Sequence, residues 1–384
     1  MSDSVPRTSP WSRLFTEERD AYVLGLLRLA LSVLLLLNCG RLILELRRGG
    51  YFGEFFHISM VPESWLPSSA GYASILGIQA LAALCACFAL WPREALLVSS
   101  ALGLFVLSLD RLQYHNNRYA LLLLGFLLAF TPCDRSFLLA RRRQRTLPAP
   151  ERIAPTFARR LFQIQVSLVY LGSACGKLLD SDWRGGQVLL LRFANTADFW
   201  AARGVTLPPW SNVVLSSALF ASVAAKAAIS TELFIALGAW FARTRRAALW
   251  VGVWFHFSIE VSARVELFSW LMLASYLAFV TPELRARRLE FDPRSARARA
   301  LARAIRWLDW CARFEVVERP QAEHARARVY VTDRAGNMAH GFRGFALLAE
   351  AVPALFPLWA PFAVLARLAA PRSKAPSYAN DVRS

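Results

Sequence analysis

Lys177 stands at the end of a long apolar run, in the stretch Gly176-Lys177-Leu178-Leu179-Asp180-Ser181-Asp182-Trp183. A lysine withdrawn from water gives up its proton more readily and serves as a general base. Paired with Asp180, one helical turn on, the same lysine is an ordinary snorkelling ion-pair partner at the rim of a bundle. Spacing leaves both readings open. A second polar cluster, Tyr114-His115-Asn116-Asn117-Arg118-Tyr119, opens another apolar run. Its adjacent amides, with His and Arg beside them, offer donors to an oxygen-bearing ligand such as a quinone carbonyl or a carboxylate. An Asn at a helix start also serves as an N-cap, so a purely structural reading of Asn116 or Asn117 stands beside the first.

His256, Glu260 and Arg264 recur every fourth residue and so share one helical face. Glu232 falls inside a further apolar run, where a carboxylate needs a partner such as Lys177, Arg264 or His256. A salt-bridge network that only joins helices would show the same pattern. The histidines His57, His115, His256, His324 and His340 are scattered, and neither His-Glu-x-x-His nor Cys-x-x-Cys occurs, so no metal site is expected. Gly49-Gly50 and Gly185-Gly186 read as turn glycines, and nucleotide-binding fingerprints are absent.

The elements that must position these groups are read from composition. Of 384 residues 56% are hydrophobic, more than a water-soluble core of this size uses, and the mean hydropathy is positive. The formal net charge of +18 comes from Arg clusters placed between apolar runs. That is the pattern of cytoplasmic loops, and without interleaved aromatics or a reader motif it excludes nucleic acid as the partner. Eight runs are apolar enough to cross a bilayer or pack within a bundle: 22–44, 72–91, 95–109, 119–131, 157–178, 225–241, 247–261 and 267–281. With an even number of spans and a cytoplasmic N-terminus, Arg13 and Arg19, Arg93, Arg141 to Arg143 with Arg145, Arg243 with Arg245 and Arg246, and Arg285 with Arg287 and Arg288 all fall on the inner side. Both termini are then cytoplasmic. The first run reads as a retained anchor in a cell (inner) membrane. The aromatic stretches 51–65 and 200–210 suit interfacial helices on the outer side. The six cysteines fall mostly in apolar runs and read as small packing residues.

The expected fold is therefore an all-α polytopic bundle of about eight transmembrane helices with a small C-terminal α/β domain. The boundaries are 1–21 for a cytoplasmic N-terminal segment, 22–282 for the bundle, 283–370 for a cytoplasmic domain and 371–384 for a disordered tail. Short strands at 314–317 and 329–332 and a hairpin turn at Asp333-Arg334-Ala335-Gly336-Asn337 mark that domain.

Three of these pieces, in this order along the runs, resemble the HTTM family, bacterial relatives of the vitamin K-dependent gamma-carboxylase. Asn116-Asn117 before an apolar span resembles the carboxylase's Trp-Asn-Asn-His stretch. Gly176-Lys177-Leu178 with Asp182-Trp183 and Gly185 resembles the segment whose Lys deprotonates vitamin K hydroquinone. Phe255-His256 leading into Leu267-Phe268-Ser269 and on to Ser275 is similar to a third family stretch. The resemblance covers about residues 18–282. It implies oxygenation of a membrane quinol, proton removal from a substrate carbon and capture of carbon dioxide. Lys177 would be the base, Asn116, Asn117, Arg118 and His256 would orient the ligand, and Glu232, Glu260, Arg264, Asp180 and Asp182 would support them. The substrate, a peptide or small molecule, would be met at the outer face. The chain departs from the carboxylase in carrying Arg118 where the motif has His, and in lacking its large extracytoplasmic domain.

The tail resembles the DCC family, whose fold is thioredoxin-like, in Leu289-Glu290-Phe291-Asp292, a helix from about 295 to 309, and the strands that follow. Where that family has Asp-x-x-Cys-x-x-Cys, this chain has Asp292-Pro293-Arg294-Ser295-Ala296-Arg297-Ala298, so thiol–disulfide exchange is not expected. Against the enzyme stands a second expectation, a non-enzymatic accessory or immunity-like membrane protein that keeps the fold. A transporter is disfavoured, because the halves show no repeat and no paired mid-span breaks.

Overall fold

The structure, a computed structural model, describes residues 17–53, 56–136, 149–262, 265–281, 284–320 and 327–369. Arg264 and the basic run 141–145 lie outside them, as does the expected tail 371–384. The chain divides into two compact units, residues 1–282 and 283–384.

In the first unit a short strand β1 (Glu18–Asp20) leads into α1 (Tyr22–Arg47), α2 (Ser69–Cys87), α3 (Pro92–Ser108) and α4 (Asn116–Ala129). After β2 (Ile153–Pro155) come α5 (Phe157–Leu179), α6 (Ala218–Gly238), α7 (Arg245–Ser262) and α8 (Phe268–Ser275), the last continued by a 3-10 turn, Tyr276–Phe279. Leu- and Ala-rich runs make these helices, and small caps start them. The Ser68 hydroxyl accepts the Gly71 N–H before α2, the Ser217 hydroxyl accepts the Phe220 N–H before α6, and Pro92 occupies the first turn of α3.

All eight expected runs are helical. Among the described residues three helical stretches are long and apolar enough to cross a membrane: Tyr22–Phe52, Ser69–Cys87 and Ala218–Gly238. The sixth begins at Ala218 instead of 225, which carries Glu232 deeper along its helix than the run implies. The aromatic stretches are not continuous helices. Among the described residues the region 51–65 holds the 3-10 turns Gly50–Phe52 and Glu63–Trp65, and the other breaks into Thr196–Ala201 and Pro209–Leu215. Pro62 and Pro208, without an N–H to give, start new turns in place of extending old ones.

Helix α1 packs on α2, α4 and α8; α3 lies against α2 and α4, and α5 against α4 and α6. Leu27, Leu31 and Leu35 of α1 are fully buried. One end of the unit is tied by polar bonds. β1 pairs antiparallel with β2, joining the approach to α1 with the approach to α5. The buried Arg28 on α1 donates to the carbonyls of Cys133 (2.7 Å) and Ser136 (3.2 Å), just beyond α4. Arg159 on α5 likewise donates to Ala278 (2.8 Å) and Val280 (2.6 Å), after α8, and the Gln163 amide donates to Ala278 at 2.7 Å. Helix C-termini leave carbonyls without partners, and these side chains supply the donors. The starts of α1 and α5 thus share an end with the finishes of α4 and α8.

The second unit runs β3 (Arg287–Phe291), α9 (Ala296–Leu308), β4 (Phe314–Glu318), β5 (Val329–Thr332), β6 (Met338–Ala339), α10 (Gly341–Ala351) and α11 (Trp359–Leu368). Its sheet order is β4-β3-β5-β6, with β3 and β4 parallel and the other pairs antiparallel. α9 makes the crossover between the parallel strands, starting from Ser295, whose hydroxyl accepts the Ala298 N–H. Leu289, Phe291, Ile305, Phe314, Val331 and Leu348 share its core. The turn joining β5 to β6 is the one expected from sequence: Asp333 accepts the Ala335 and Asn337 N–H groups, and Gly336 takes φ +87°.

Candidate functional site

On α5, Tyr170, Ser173 and Lys177 are three, four and seven residues apart and therefore line one face. The Lys177 ammonium donates to Glu232 Oε1 of α6 at 2.6 Å and to the Ser173 hydroxyl, which itself donates to the same carboxylate oxygen at 3.0 Å. Glu232 is 4% exposed, and its other oxygen, Oε2, has no hydrogen-bond partner among the described residues. Lys177 is half-buried, with a side chain 16% exposed.

Asp180 does not hold Lys177. Its carboxylate turns instead to the Asp182 and Trp183 N–H groups (2.8 and 3.3 Å) and starts the short helix Ser181–Gly185. That turn brings the Trp183 ring to 5.0 Å from Lys177 Nζ, a cation–π distance. Gly186 ends the turn at φ +89°, where a Cβ would meet the Ser222 backbone N at 2.5 Å. Only glycine lets this loop lie against α6, so the glycine read as an ordinary turn residue also fixes where Trp183 sits. Asp182 is exposed.

Deeper on the same face, Tyr170 Oη lies 2.6 Å from His256 Nε2 on α7 and 2.7 Å from Tyr276 Oη. His256 is fully buried, and its Nδ1 has no partner among the described residues. With one hydrogen per hydroxyl, the three groups form a chain of one direction or the other, set by the imidazole tautomer. Gly252 on α7 makes room for it, since a Cβ there would fall 2.1 Å from Tyr276 Oη. Glu260, one turn further along α7, is half-buried.

Asn116 and Asn117 form the first turn of α4, and the residue that caps it is His115, without a side-chain bond. The N-cap reading of these two asparagines therefore does not hold. Arg118 sits among charges of its own, with guanidinium atoms 3.8 Å from Glu45 of α1 and 3.6 Å from Glu266 before α8. Arg41 of α1 is hydrogen-bonded to Glu45 at 2.9 Å and paired with Glu266. Lys177, Glu232 and Ser173 thus form one cluster, and Arg118 belongs to another.

Tyr170, Tyr276 and Ser173 are not among the residues singled out from sequence, Trp183 appears there only as part of the resemblance, and neither Arg41, Glu45 nor Glu266 was singled out. The Tyr170-Ser173-Lys177 spacing was the available signal. Tyr276 and Glu266 carry none, because their partners are far along the chain. Among the described residues no three His, Cys, Asp or Glu side chains converge as a metal site. A quinol is a fair match to the Lys177 cluster on one observation: the unpartnered Glu232 Oε2 is a buried acceptor, which a hydroxyl donor would satisfy.

Comparison with known proteins bears on the first unit. Residues 16–284 match the family model described as the HTTM domain. No curated protein and no solved structure matches the chain.

Proposed function

The chain belongs to the HTTM domain family, and on that premise we propose a multi-pass membrane enzyme of eight helical spans in which Lys177 acts as a base toward a lipid-soluble quinol. The observation that carries this reading is the Lys177–Glu232 contact of 2.6 Å inside an apolar bundle, with one oxygen of the carboxylate left over. The ammonium proton can pass to Glu232, leaving a free amine. That amine then takes a proton from a ligand hydroxyl, while Ser173 keeps it aimed and Trp183 closes over it. A quinol bound there would supply the hydroxyl and the electrons that reduce dioxygen. His256 and Tyr170 orient groups deeper in the bundle. The final acceptor is a peptide or small molecule reached from the outer face.

The eight-span reading is supported by the shared end of α1, α4, α5 and α8, which alternating passes require. With the Arg distribution it gives cytoplasmic termini in the cell (inner) membrane. For the tail, the order β4-β3-β5-β6 with a helical crossover supports a thioredoxin-like, DCC-type unit. Ser295 stands there in the place of the attacking thiol and caps α9.

The second reading, an accessory protein that keeps the fold without the chemistry, draws on the same ion pair, since a closed Lys–Glu bridge is also a lock between α5 and α6. Lys177→Arg separates the two. Arg keeps the charge and the pairing but does not deprotonate in a protein. Purified protein given a reduced short-chain quinol should consume oxygen, and the Arg variant, equally folded, should not. Equal uptake by both, or none by either, leaves the accessory reading.

A further inference from the structure

Beyond the Lys177 cluster, a cavity of about 570 Å³ opens where α1 ends and α4 begins, walled by Arg41, Glu45, Arg48, Tyr51, Arg118 and Glu266. Three guanidinium groups face two carboxylates, so the lining carries one positive charge in excess. Arg41 serves both carboxylates. Arg118 is therefore left at 3.6 and 3.8 Å from them, beyond hydrogen-bond length, although its side chain is only 12% exposed. Its Nε is buried with no partner among the described residues. A buried donor without an acceptor is costly, and a guanidinium fork is shaped for an oxyanion.

The surroundings set the ligand's size. The loop at 56–62 is pinned beside the cavity by His57 Nδ1 on Asp110 at 2.7 Å and by the Arg111 N–H on the Ile58 carbonyl at 2.7 Å. On its other side Arg118 borders a second, smaller cavity of about 30 Å³, lined by Asn38, Asp110 and Gln113 as well as Leu42, Val106 and Leu122, room for a water but not for a headgroup. An incoming group therefore stops at the guanidinium.

We propose that this cavity is a phosphate-binding subsite, with Arg118 and Arg41 as the fork and Glu45 and Glu266 as the carboxylates an incoming oxyanion displaces. A phosphodiester headgroup carries the single negative charge that balances the lining. The lining also includes apolar side chains, Leu46 and the exposed Leu112, which suit the acyl side of a lipid headgroup. Nothing here depends on the role of Lys177.

The test uses the full chain in detergent, titrated with dihexanoyl-phosphatidylglycerol and separately with inorganic phosphate, with binding followed by calorimetry and thermal shift. Saturable binding of the short-chain lipid is expected, weakened about ten-fold or more by Arg118→Gln, since one charged hydrogen-bonding partner is lost. Glu266→Gln should tighten binding, because it removes a competitor for the fork. A merely structural ion-pair network predicts lowered stability from that change and no gain in affinity. Binding of inorganic phosphate as tightly as lipid, still lost in Arg118→Gln, keeps the oxyanion site and makes free phosphate its source. The proposal is overturned if Arg118→Gln binds both probes like the unaltered chain, or if Glu266→Gln fails to tighten binding. Should Arg118→Gln not fold, the Glu266→Gln result decides alone.

Discussion

Removing Lys177 should cost far more than removing both members of its pair. In Lys177→Met the Glu232 carboxylate stays buried, with Ser173 as its remaining donor among the described residues and Oε2 already without one there. Breaking one side of a buried pair costs about 3–5 kcal/mol in soluble proteins. Within a bilayer the unfolded reference also finds polar partners, so the lower end, about 3 kcal/mol, is expected. Glu232→Leu is milder, about 1–2 kcal/mol, because Lys177, 16% exposed, can turn its amine outward toward Trp183. The double variant Lys177→Met/Glu232→Leu should cost no more than about 1 kcal/mol relative to the starting protein, a coupling of roughly 3–5 kcal/mol. Reversible denaturant unfolding in mild detergent, followed by tryptophan fluorescence, measures all four proteins. If Lys177→Met were as stable as the unaltered chain, the pair would not be buried as described, and the site built on it would fall.

Gly252→Ala should lower stability by about 2–4 kcal/mol, since its methyl group occupies the position of the Tyr276 hydroxyl and separates it from Tyr170; unchanged unfolding would count against the tyrosine chain. Burial pushes the Cys311 thiol up to about 11, so a maleimide at pH 8 should leave it unlabelled in the folded protein. Labelling should appear in denaturant, or as the pH nears that value, and mass spectrometry of the tail peptide reads it. Reporter fusions after Arg145 and after Arg288 should both give cytoplasmic signals, and one near Ser211 the opposite signal. Finding Arg145 and Ser211 on the same side ends the eight-span proposal.

Sequence was most informative where a local property decides structure. Long runs dominated by apolar residues become helices whatever they pack against, because their backbone groups must bond internally, and all eight were legible for that reason. So was the turn at Asp333–Asn337, where Asp and Gly chemistry acts within five residues. The candidacy of Lys177 and Glu232 was equally legible, because an ionisable group in an apolar run is costly wherever it points.

What only the tertiary structure decided is who meets whom. Asp180 lies nearer to Lys177 in sequence, yet the helix breaks there and Asp180 spends its oxygen on the next turn, so the amine finds Glu232 of α6. Arg118 looked like a neighbour of the Lys177 site; packing of α4 on α1 and α8 placed it instead between Glu45 and Glu266. Tyr276 carried no signal at all, because its importance rests on a glycine on another helix that leaves space for one hydroxyl. Helical periodicity fixes which face a residue shares with its own helix, but the partner across the gap depends on how helices are ordered and rotated, which is set by packing over the whole bundle.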